Sequence, residues 1–216
     1  MTKTPAQKAT PRKKYTPKML QVLETARDVF LRDGFEGTSM DTLAKESGVA
    51  RRTIYNQFIS KEILFQAVIE SIWFRLGSPD MPPEKEMTKD PAKDLYQIGL
   101  TIARHWAPPE TQDFLRLIVR EGDRFPHLAE DFYRMSKAPM LERMSAYFAR
   151  LESEGIMAFG DKELAIRQFV GLIMEPLRWL RLIGIGEDPG DALYHKVVDE
   201  AVKTFIARYL VTGKTD

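Results

Sequence analysis

Cysteine is absent from the 216 residues of the chain. That excludes disulfides, thiolate zinc sites, iron–sulfur clusters and a cysteine nucleophile, and it fits a reducing compartment. Only three histidines occur, His105, His127 and His195, far apart and without metal-ligand spacing. A nucleophile elbow, a phosphate-binding glycine loop and a dinucleotide fingerprint are all missing. Gly184-Ile185-Gly186 runs into Glu187-Asp188-Pro189 and reads as a turn. No Glu-x-x-His pair offers a di-metal carboxylate site. An enzyme is therefore the poor reading, and no cofactor or metal is expected. No apolar run reaches the roughly 18 residues needed to span a bilayer, and no apolar core of a secretory signal stands near the start. The expectation is a cytoplasmic protein with no membrane contact. Period-2 alternation bounded by turn signals is missing too, so strands are not expected.

An excess of either charge is also lacking overall. Lys and Arg number 32 and Asp and Glu 31, a net +1. The distribution is uneven, however. Residues 1–18 hold Lys3, Lys8, Arg12, Lys13, Lys14 and Lys18 and no acid. Residues 1–70 contain 12 basic and 8 acidic side chains, whereas residues 71–216 contain 20 and 23. A basic front points to an anionic partner such as a phosphate backbone, although a solubilising tail has the same composition.

Residues 1–15, with Pro5 and Pro11 and almost no large apolar residue, read as a flexible basic arm. Thr16-Pro17 is a helix start, and Met19, Leu20, Leu23, Ala26, Val29 and Phe30 follow at helical spacing up to Gly34. Thr38 or Ser39 caps a short second helix that Gly48 stops. A third runs from about Arg51 to Phe58, and Ser60 caps a fourth. Residues 77–91, with Pro79, Pro82, Pro83 and Pro91, read as a linker. Helical patterns return at about 92–107, 110–123, 126–153, 161–186 and 191–211. The expected fold is all-α. A helix-turn-helix domain occupies 16–76, and a larger helical domain for ligand binding and dimerisation occupies 92–216.

Residues 39–58 carry the function. Two short helices flank the turn Gly48-Val49-Ala50, with an apolar seam from Leu43, Ala44, Val49, Ile54 and Phe58. That is the layout of a helix-turn-helix, whose second helix enters the major groove. The other face of this helix offers Arg51, Arg52, Thr53, Tyr55, Asn56 and Gln57. Arg pairs with guanine, Asn or Gln with adenine, a Thr methyl with the thymine methyl, and a Tyr hydroxyl with phosphate. An ordinary helical hairpin with a polar face is the competing reading.

The stretch 16–76 resembles the DNA-binding domain of the TetR/AcrR regulators. The matching residues are Ala26, Phe30, Gly34-Phe35, Thr38-Ser39-Met40, Leu43-Ala44, Ser47-Gly48-Val49, Thr53-Ile54-Tyr55, Phe58, Ser60-Lys61-Glu62 and Leu64-Phe65. Ala50, Arg52 and Ile59 depart from the commonest form, where Ser, Gly and Pro are frequent. The resemblance implies that Thr38, Ser39, Ser60 and Lys61 meet phosphates. It also implies that Thr53 and Tyr55 touch base edges or backbone. Residues 114–128 look like the ligand domain of the AefR-like subgroup.

The implied partners are a palindromic duplex operator, a small-molecule ligand and a second copy of the chain. A repressor released by its ligand follows; the alternative is a helical module without DNA binding. Candidates for an apolar ligand pocket are Trp106, Phe114, Tyr133, Tyr147, Phe148, Met174 and Trp179, with Arg116, Arg120 and His105 to orient a polar group; plain core packing and surface pairs with Glu110 or Glu121 are the competing reading. Residues 164–183 are apolar nearly all round, and 197–210 carry a one-sided stripe. Phe169, Ile173, Leu180, Val198, Val202, Phe205 and Tyr209 are the expected dimer face.

Overall fold

The structure, a computed structural model, describes residues 15–83 and 86–211. The expected basic arm, apart from Tyr15, lies outside the described residues. The elements are α1 (Pro17–Gly37), α2 (Met40–Ser47), α3 (Arg51–Gln57), α4 (Lys61–Leu76), α5 (Pro91–His105), α6 (Pro109–Glu121), α7 (Pro126–Phe132), α8 (Ala138–Ser153), α9 (Lys162–Leu182) and α10 (Asp191–Tyr209). Among the described residues the only strand-like pairing is one bridge between Met157 and Leu210. The all-α expectation is borne out. No helix among them is long and apolar enough to cross a membrane.

The chain divides into two compact units, Met1–Ile69 and Glu70–Asp216. The division falls inside α4, upstream of the proline-rich stretch 77–91. Met81 and Thr88 of that stretch are tied down within the second unit. Met81 is buried there, its carbonyl accepts from Arg143 at 2.9 Å, and Thr88 donates to the buried Asp94. One apolar anchor and a buried carboxylate thus hold what its prolines alone suggest is a free linker.

In the first unit the caps act as the sequence suggests. The Thr16 hydroxyl accepts from the Met19 N–H with Pro17 in the first helical position. Gly34 breaks the helical path of α1 at φ +76, which a side chain would resist. The turn this produces brings Phe35 back onto Phe65, rings 5.2 Å apart, and Phe30 meets Phe65 at 4.9 Å. Val22, Leu43, Ile54, Phe58 and Leu64 complete a dry core.

In the second unit α5, α8, α9 and α10 enclose the core. Gly99 lets α5 approach α10 closely, since a Cβ there would lie 2.7 Å from Val198 Cγ1. Phe148 stacks on Phe159 at 4.4 Å, and Phe169 and Phe205 close over them. The pattern at 126–153 is one helical path interrupted by a π-helical turn, Tyr133–Lys137. There Ala138 N–H bonds one residue further back than in an α-helix, to Tyr133 O, and Pro139, which follows, has no N–H to give.

Candidate nucleic-acid interface and effector domain

Ser39 caps α2 by accepting from Thr42 N–H at 3.0 Å, and Gly48 ends it at φ +65. Val49 is buried in the turn, and Gln21 of α1 donates to Ser47 O at 3.0 Å. These contacts set the angle at which α3 leaves the turn. Ala50 supplies no side-chain cap, so α3 is held by its apolar face: Ile54, then Phe58, with Tyr15 packed 5.9 Å away.

The opposite face is open. Arg51, Arg52, Asn56 and Gln57 are exposed, and Thr53 and Tyr55 are half-buried. Arg51 forks onto Asp41 of α2 at 2.7 and 2.9 Å and lies over the Tyr55 ring at 5.4 Å. The Tyr55 hydrogen bond, then Asp41, hold its guanidinium above the ordinary value. Arg52 has no ion-pair partner among the described residues. Ile59, just beyond α3, is 81% exposed.

Two residues expected to meet phosphate are placed differently. Thr38 is buried and its hydroxyl donates to Gly34 O at 2.7 Å. Lys61 donates to Phe35 O at 2.8 Å and Thr38 O at 2.9 Å, with its ammonium 4.2 Å from the Phe35 ring centroid. The break at Gly34 leaves carbonyls without helical partners, and both side chains turn inward to meet them. Ser39 stays exposed, and Ser60 accepts from Ile63 N–H at 3.3 Å.

The second unit sorts its candidates sharply. Phe114 is buried edge-on to Trp73 at 4.5 Å, and Trp106 is buried against Phe132 at 5.8 Å. Met174 is half-buried, whereas Tyr133 and Trp179 are exposed. Arg116 donates to Leu182 O, Arg181 O and Asp113, closing the end of α9, and Arg120 pairs with Glu121. The structure therefore does not gather these residues around one space. A cavity of about 300 Å³ opens instead beside Met81, Pro83, Ile98 and Tyr147. Burial, then Asp94, raises the pKa of the Tyr147 hydroxyl, which donates to that carboxylate at 3.1 Å.

Of the expected dimer face, Phe169, Ile173, Val198, Val202, Phe205 and Tyr209 are buried within their own subunit, and only Leu180 is exposed. The apolar stripe of α10 is its core face. An exposed apolar set remains instead, Leu164, Leu172, Trp179 and Leu180 on α9 and Ile183 just beyond it. A groove of about 570 Å³ lies beside it, lined by Gly171, Leu172, Pro176, Thr204 and Arg208 among others. Sequence reasoning passed over Arg178, a half-buried cation on α9; an arginine between apolar residues carries no signal of its own until its neighbours are known.

A model of bacterial regulatory proteins of the tetR family matches residues 22–68. A model of the AefR-like transcriptional repressor C-terminal domain matches residues 93–211, more than half of the chain. The chain belongs to the TetR family. Both the expected family and the AefR-like subgroup are borne out. The HTH-type transcriptional regulator YezE of Bacillus subtilis is 30% identical over 127 residues, 54% of this chain and 61% of that protein. UidR of Escherichia coli, another HTH-type regulator, is 40% identical over 53 residues, 24% of this chain and 27% of its own length. The matches thus span less than two thirds of these curated relatives. Among solved structures, the flavonoid-responsive regulator FrrA superposes with a TM-score of 0.69 at 26% identity, covering 91% of this chain and 98% of that one.

Proposed function

We propose that this TetR-family chain is a cytoplasmic, dimeric repressor that binds a palindromic operator and leaves it when a small molecule binds the second unit. The carrying observation is the outward face of α3. Arg52, Asn56 and Gln57 are exposed on a helix that Ile54 and Phe58 anchor rigidly. That set can read guanine and adenine edges in a major groove, while Tyr55 and Ser39 meet the backbone. Thr38 and Lys61 act as braces that hold α1, α2 and α4 in register for this contact.

The dimer is proposed through the outward side of α9, with Trp179 and Leu180 of each copy covering the other. Two α3 helices at the spacing of successive major grooves explain a palindromic site. Release is a population shift, in which the ligand favours a conformation with the two helices off that spacing. A flavonoid-responsive structural neighbour supports a small organic effector. The chain acts by binding, with no catalytic step.

The test is selection of bound sequences from a random duplex pool by the purified chain. Enrichment of an inverted repeat supports the reading. Recovery of no sequence above background, with the fold intact, would favour a helical module without DNA binding.

A further inference from the structure

Along α9 the side chains Val170, Met174 and Arg178 recur every four residues and are half-buried. They lie between the core face of Phe169, Ile173 and Leu177 and the exposed side of the helix. The Arg178 guanidinium sits 4.6 Å from the Trp106 ring centroid. No carboxylate among the described residues answers it. Among the described residues Arg178 makes neither an ion pair nor a hydrogen bond. Burial, then the charge of Arg181, pushes its pKa down to about 10.

Two further basic groups feel its charge. The Lys137 ammonium, from the π-helical turn, is lowered by partial burial and then by Arg167 and Arg178. His105 is lowered by burial and then by Arg178, and its Nε2 is buried with no partner. The His105 ring meets Trp106 at 5.0 Å. Trp106 meets Phe132, and Phe132 meets Trp73 at 5.2 Å, whose Nε1 is likewise buried without a partner.

Protein interiors rarely leave a desolvated cation without an anion, because the charge loses its hydration and gains nothing in return. Here an arginine lies over one ring of an aromatic cluster that His105 also touches, and two buried nitrogens of that cluster, His105 Nε2 and Trp73 Nε1, have nothing to bond. A guanidinium matches a carboxylate with two parallel hydrogen bonds. We propose that Arg178, with Lys137 and His105 around it, receives the carboxylate of a small organic acid whose apolar body lies against Trp106, Phe132 and Trp73. The inference deepens the ligand-release reading by naming the class of effector. It also predicts a cost in the free protein: the unanswered cation weakens the fold until the acid arrives.

The experiment uses the full chain and matched pairs, benzoate with benzamide and 2-naphthoate with 2-naphthamide, at millimolar concentration without DNA. Binding is read as quenching of tryptophan fluorescence and as a rise in melting temperature. The acids are expected to act and the amides to act far more weakly. Arg178→Met should lose at least tenfold in affinity for the acid while melting at the same temperature as the parent or above it. Should that variant fold poorly, Lys137→Gln, at a surface position, is expected to weaken the acid roughly three- to tenfold. Equal action of acid and amide, no response to either acid, or full affinity in both variants overturns the proposal. A stronger response to phenyl phosphate than to either acid overturns the carboxylate assignment. An acid that binds as expected but leaves operator affinity unchanged supports this site and refutes the release model instead.

Discussion

Replacing Lys61 by methionine separates a brace from a phosphate contact. The lysine ammonium donates to two backbone carbonyls, Phe35 O at 2.8 Å and Thr38 O at 2.9 Å, and caps the Phe35 ring at 4.2 Å. Methionine keeps the apolar stem and removes the donors. Hydrogen bonds to a charged group contribute about 1.5–3 kcal/mol each when buried. The side chain is half-exposed, so the two together are placed at about 2 kcal/mol, with about 0.5 kcal/mol more for the cation over the ring. All three tryptophans, Trp73, Trp106 and Trp179, lie in the second unit, so their fluorescence does not report on this loss. Hydrogen exchange does. Protection of the α3 amides should fall by about thirtyfold or more, the factor that roughly 2 kcal/mol implies. The salt dependence of duplex binding should keep its slope, because no phosphate contact is removed. Unchanged protection, together with a slope reduced by about one unit, would refute the brace and restore Lys61 to the phosphate backbone.

Three further outcomes are expected. Tyr55→Ala or Asn56→Ala should weaken specific binding by about 1–3 kcal/mol per half-site with helicity unchanged, measured by operator titration and circular dichroism; wild-type affinity in both would move the reading face off α3. Leu180→Asp, at a side chain 56% exposed, should leave a folded monomer in light scattering, whereas Val202→Asp, 6% exposed, should unfold the second unit by burying a carboxylate; a folded dimer from Leu180→Asp would place the interface elsewhere. His105 is held below its ordinary value by burial and by Arg178, so the unfolded chain takes up its proton first. Its share of stability is therefore complete above the ordinary histidine pKa of about 6.5 and is lost as the pH falls below it. His105→Gln should flatten that acid limb in thermal melts between neutral and mildly acidic pH, and an unaltered limb would count against the assignment.

Much of the first unit was legible in the chain. Thr16-Pro17, Ser39, Gly48 and Ser60 act on neighbours three or four residues away, so local spacing is enough to place the helix ends. Ile54 and Phe58 share one helix face by periodicity alone, which puts Arg52, Asn56 and Gln57 on the other. The two inward-turning side chains were not legible. Lys61 reaches Phe35 from 26 residues away and Thr38 from 23, and only the path forced by Gly34 brings those carbonyls within its reach.

In the second unit the apolar stripes were visible, but not what covers them. A stripe on α10 reads the same whether a neighbour in the same subunit or a second copy buries it. Close contact through Gly99 gives Val198 to α5, and packing with α9 buries Phe205. The same holds for the cations. Arg116 and Arg178 both stand among apolar residues in the sequence, yet one closes the end of α9 through three acceptors and the other has none among the described residues. Composition, caps and periodicity thus determined the helices, their order and the outward face of α3, because those depend on interactions within a few residues. The choice of buried face on α9 and α10, the inward turn of Thr38 and Lys61, and the unanswered charge of Arg178 were decided by tertiary structure, because each depends on a partner tens of residues away.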